Sequence, residues 1–81
     1  MIEDVQWKRT IGRRLMNYAY STMVGVDVYC RAACNQQADC DSFNFRPSDN
    51  TCELNSYPNG TDSNNVNIVS DWNWCNPIIY N

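Results

Sequence analysis

CRAACNQQADCDSFNFRPSDNTCELNS, running from Cys30 to Ser56, is the stretch on which the fold turns. It holds Cys30, Cys34, Cys40 and Cys52, four of the five cysteines in the chain. Cys30 and Cys34 are four residues apart, so on a helix both thiols point from one face. Val26, Cys30, Ala33, Cys34 and Gln37 recur at helical spacing, and Asp27 suits the N-cap or the first turn. The helix is expected to end near Ala38. Beyond Cys40 the period changes from helical to alternating. Phe43 and Phe45 alternate with Ser42, Asn44 and Arg46, as on a strand with one buried face. Pro47 to Asn50 has turn composition. Thr51 to Asn55 is the return strand, with Cys52 and Leu54 on one side and Glu53 and Asn55 on the other.

Upstream, Arg13 to Tyr20 reads as β-structure, with Met16, Tyr18 and Tyr20 on one face. Thr22, Met23 and Val24 continue it to Gly25. Residues 1–9, around Trp7, read as an N-terminal arm, and 10–81 as the single domain. Downstream, the segment from Tyr57 to Asn65 is a loop, and Val66, Ile68 and Val69 begin another strand. Trp72 and Trp74 share one side of it, and Pro77 is expected to break it. The expected fold is α+β: a small twisted antiparallel sheet of four or five strands with one helix packed across it. A chain of 81 residues buries a modest core, so disulfide staples are the expected support.

The spacing Cys30-x3-Cys34-x5-Cys40-x11-Cys52, with Cys40-Asp-Ser-Phe-Asn-Phe and Cys52-Glu-Leu, resembles the PAN/apple domain family. In that family a helix bearing C-x3-C is stapled to a hairpin marked by these motifs. Gly12-Arg13-Arg14-Leu15 is similar to the family's first strand. The resemblance implies bridges Cys30–Cys52 and Cys34–Cys40, and the spacing is compatible with both. It also implies an extracellular module that binds protein or carbohydrate. Many apple-type members have a third bridge joining the ends of the domain. Cys75 matches its last cysteine, but nothing upstream of Cys30 can pair with it. Three readings stay open: a partner outside this stretch of chain, a bridge to another chain, or a free thiol.

Composition narrows the function. There is no histidine, hence no imidazole base for a nucleophile and no histidine ligand for zinc. A net charge of −3 is a poor match to nucleic-acid binding. No apolar run is long enough for membrane insertion. Met1 to Asp4 does not open a signal peptide, so the chain reads as a mature or excised form of a secreted protein. No cofactor or metal is expected; the oxygen ligands from Asp62 to Asn65, with Asp71, lack the spacing of a calcium loop. Lys8, Arg9, Arg13 and Arg14 cluster near the start and read either as a solvated face or as a patch for an anionic partner. Trp72 and Trp74 are candidates for an aromatic platform, with packing on the sheet as the alternative. Asn59-Gly60-Thr61 is an N-glycosylation sequon, as in a glycoprotein. The resulting expectation is a secreted, non-catalytic recognition module for a protein or glycan ligand. The alternative is a self-associating structural subunit of an extracellular assembly, disulfide-linked through Cys75.

Overall fold

The computed structural model describes residues 6–56 and 65–78. Asn59 and the acidic and amide residues 62–64 lie outside them, as do residues 1–5 and 79–81. The central hairpin forms as its alternation requires. Strand β3 (Ser42–Arg46) pairs antiparallel with β4 (Thr51–Asn55), placing Phe43 opposite Leu54 and Phe45 opposite Cys52. Asn50 closes the turn at φ 58°, a left-handed position that asparagine tolerates. Asp49 accepts the Thr51 amide at 3.2 Å and a two-pronged bond from Arg46 at 3.0 and 2.7 Å. These bonds hold the Asp49 carboxyl down at about 2.

Helix α1 (Asp27–Gln36) packs over this hairpin. Val26 occupies the N-cap without a side-chain bond, so Asp27 is the first-turn acid and Val26 is not on the inward stripe. The helix stops two residues before Ala38, and the bridge to Cys40 is the reason. Six further helical residues would carry Cys40 about 9 Å from Cys34, too far for a disulfide. Instead the Gln37 amide bonds the Cys34 carbonyl and the Cys40 amide bonds the Gln37 carbonyl. That turn brings the two α-carbons to 5.1 Å, and the disulfide closes. The second disulfide joins Cys30 to Cys52 across 6.2 Å. Loop-closure entropy assigns about 3.4 kcal/mol to Cys30–Cys52 and about 2.4 kcal/mol to Cys34–Cys40.

Five antiparallel strands are ordered β1-β5-β3-β4-β2, where β1 is Gln6–Leu15, β2 is Ala19–Val24 and β5 is Val66–Ile78. Gln6 to Arg9, read from the sequence as arm, belong to β1 and pair with β5 from Ile78 to Cys75. The expected continuous strand from Arg13 to Val24 is broken. Asn17 sits at φ 76°, and the two halves go to opposite edges of the sheet. Strand β5 also runs through Pro77 instead of stopping there. Strand β3 pairs with β5 only at Asn73–Cys75, so Pro77 has β1 as its one ladder neighbour. A proline fits where its nitrogen faces away from the ladder.

The break at Asn17 shapes the sheet. A flat five-stranded sheet spans about 19 Å between its edge strands. The four steps from Leu15 to Ala19 reach at most about 14 Å. The edges must therefore curl toward each other over the face away from the helix. A register jump opposite Gly12 (φ 78°) helps, because Ile11 pairs with Asn73 whereas Arg13 pairs with Ile68.

Candidate recognition surface

Strands β3, β4 and β5 send alternate side chains to two different interiors. Toward the helix lie Phe43, Phe45, Cys52, Leu54 and Cys75, closed by Cys30 and Cys34. Trp7 joins them, its ring 5.2 Å from that of Phe43. Away from the helix lie Ser42, Asn44, Asn55, Leu15, Trp72 and Trp74, all buried. Asn44 acts there as a substitute strand. Its Oδ1 accepts the Leu15 amide at 2.9 Å, and its Nδ2 donates to the Leu15 carbonyl at 2.9 Å. The Trp74 indole N–H and the Asn55 amide each donate to the Ser42 hydroxyl at 3.2 Å.

This second interior absorbs several candidate site residues. Trp72 and Trp74 are 4% and 7% exposed, so neither indole offers a face to a ligand. Of the two readings their spacing leaves open, the structure takes packing on the sheet, because the curled sheet closes over their side. The Arg14 guanidinium lies 4.3 Å and that of Arg46 4.8 Å from the Trp72 ring centre. Arg14 also makes a bidentate pair with Glu53. Burial pushes the Glu53 carboxyl up, but the bonds from Arg14 and Asn44 outweigh it and hold the group below its usual range. Between Arg14, Leu15, Met16, Asn17, Ala19 and Glu53 lies an open cleft of about 180 Å³. Ligand pockets usually have about 300–1,000 Å³.

The basic cluster is likewise divided. Arg9 pairs with Asp27 on the helix, and Arg14 with Glu53 on the other side of the sheet. Lys8 is exposed and Arg13 half-buried, and neither makes an ion pair among the described residues.

Cys75 is a free, buried thiol, 3% exposed in the helix-side core. Burial pushes its pKa up, and the nearby Arg9 only partly offsets this. The residue directly across from it on β1 is Arg9, at the register position a cross-strand bridge would use. A bridge from Cys75 to another chain therefore needs the core to open first.

One exposed apolar surface was not singled out by residue patterning. Val24, Val26, Val28 and Tyr29 follow one another around the turn from β2 into α1, each more than half exposed. A Cβ placed on Gly25 would lie 2.6 Å from Tyr29 Cδ2, so the glycine seats the Tyr29 ring against the backbone. The available signal was Val24-Gly25-Val26-Asp27-Val28, an apolar alternation crossing a helix start, where a helical stripe would not alternate. No helix among the described residues is long and apolar enough to cross a membrane.

Comparison with known proteins gives one match. Neither the curated proteins nor the solved structures return a similar chain. The sequence model of the PAN domain matches residues 5–71, most of the chain, and takes in the helix, the central hairpin and both disulfides. With that coverage, and with one helix bridged twice against a five-stranded antiparallel sheet, the chain belongs to the PAN domain family.

Proposed function

We propose that this chain is an extracellular, non-catalytic recognition module that binds a protein partner through the rim from Val24 to Tyr29. The observation that carries this reading is the exposure of that contiguous apolar rim while Trp72 and Trp74 are buried. The buried indoles offer no stacking platform for a sugar, whereas an aliphatic strip ending in a tyrosine suits a protein surface. Isolated exposed apolar residues are ordinary, but a contiguous group marks contact sites. Two disulfides in so small a chain support an oxidising, secreted setting, in which Asn59 is the candidate glycan site. Exposed Lys8 and half-buried Arg13 remain available to an anionic region of the partner. Two features support a binding role over a catalytic one. The cleft beside Glu53 is small, and its two charged groups are spent on each other.

The test is a panel of extracellular proteins and a glycan array, each probed with the wild type and with a Val28→Ser/Tyr29→Ser variant. The expected result is a protein hit lost in the variant and a silent array. Glycan binding that survives the double substitution would overturn the reading.

A further inference from the structure

We infer that the outer edge of β2, which has no second strand partner among the described residues, is a self-pairing site, at which a second copy of this chain adds its own β2 in antiparallel register. The two edges of the sheet are built differently. Strand β1 carries Lys8, Arg9, Arg13 and Arg14 together with the Gly12 irregularity. Pairing β1 with another β1 would bring these cations close together. Charges and bulges of this kind guard edges against such contact. Strand β2, Ala19-Tyr20-Ser21-Thr22-Met23-Val24, has no charge, glycine or proline, and every residue except Met23 is exposed. Among the described residues its strand partner is β4 alone.

The ladder shows which groups the edge presents. The Gly25 amide bonds the Asn50 carbonyl, and the Ser56 amide bonds the Tyr18 carbonyl. Hydrogen-bonded pairs alternate along an antiparallel ladder, so Ser21 and Met23 point their backbone groups at β4. Thr22 and Val24 point theirs outward. A two-fold axis at Met23 would place Thr22 of each copy opposite Val24 of the other and satisfy both sets.

The antiparallel sense also keeps the most acidic ends apart. Asp39 and Asp41 lie near the Tyr20 end of β2, where their charge, after burial, raises the Tyr20 hydroxyl pKa. Antiparallel pairing sets each acidic end beside the Val24–Asp27 end of the other copy, where Asp27 is already paired with Arg9, and away from its own counterpart. The result is isologous and closes at two copies, the commonest symmetry of soluble oligomers. Because Cys75 is buried, the contact is non-covalent. A six-residue edge gives a small interface, so association is weak, with Kd on the order of 0.01–1 mM. Self-pairing shares Val24 with the partner rim but does not use Val28 or Tyr29, so Thr22 variants test the first and Val28 and Tyr29 variants the second.

Sedimentation velocity from about 5 μM to 1 mM tests it, combined with amide exchange at both ends of that range. The expected result is a mass rising toward the dimer, with the Thr22 and Val24 amides slowing at high concentration and the Met23 amide unchanged. Thr22→Pro removes one outward amide, which an edge position tolerates. It should weaken association by about tenfold or more while far-ultraviolet circular dichroism stays native. Thr22→Lys is the second variant, with the same expectation. A wild type that stays monomeric throughout would overturn the inference. So would a dimer without added protection at Thr22, a Thr22→Lys variant that dimerises like wild type, or a covalent dimer on a non-reducing gel.

Discussion

The two faces of the sheet are both buried, yet they are held by different means. The helix-side face is apolar and cross-linked: two phenylalanines, Leu54 and two disulfides pack without a charged group. The opposite face is a polar network of Asn44, Asn55, Ser42, Glu53 and Arg14 around two indoles. On the first face energy comes from apolar area and from restricting the unfolded chain, and neither demands a unique partner for each atom. On the second, each buried polar atom needs its particular partner, and an orphaned one costs the full desolvation penalty. The first face should therefore hold the domain together, and the second should set how tightly the sheet curls.

The most severe way to break this contrast is Cys30→Ala/Cys52→Ala. It should destabilise the domain by about 3.4 kcal/mol, a large share of the stability expected of a small domain. Urea unfolding with Cys34–Cys40 intact measures this. Next is Asn44→Leu, which keeps the volume but orphans the Leu15 amide and carbonyl. We expect a loss of about 2–3 kcal/mol. Faster amide exchange at Leu15 and Met16, with Phe43 and Phe45 still protected, would show that the damage stays on one face.

Glu53→Gln should be milder, about 1–2 kcal/mol, because the Arg14 pair is only partly buried. Its pH dependence has a definite sign. The folded-state pKa of Glu53 is below the unfolded value, so its contribution is complete at neutral pH. It is lost as pH falls through the folded value, and the difference between wild type and Glu53→Gln in an acid titration should close there. A difference that persists in acid would mean that packing, and not charge, is what Glu53 supplies. The smallest effect is expected from Tyr29→Ser, within about 0.5 kcal/mol, since its ring lies outside both interiors. A larger loss in thermal unfolding would show that the rim belongs to the fold.

Legibility in the sequence divides along the same line. The helix-side face could be read almost completely, since cysteine spacing, the Phe43–Phe45 alternation and the Cys52–Leu54 return are local patterns with fixed periods. The opposite face could not. Ser42, Asn44, Glu53 and Asn55 alternate as solvated residues do, and nothing local says that the chain folds over them. Trp72 and Trp74 were ambiguous for the same reason: two residues apart, they share a side, but spacing does not say whether that side is wet. Asn17 was the deciding residue, and it lies inside a segment whose alternation suggested one unbroken strand. The rim from Val24 to Tyr29 was obscured by a helical spacing that gave Val26 an inward position.

By itself, the sequence determined the helix, the hairpin and the family motif that implied its bridges, because these depend on spacing within a few dozen residues. Tertiary structure alone decided that β1 and β2 take opposite edges, that the sheet curls to bury its polar face, and that Cys75 is sealed opposite Arg9. Those outcomes rest on register between strands distant in the chain and on a three-residue link too short for a flat sheet. No local period carries that information.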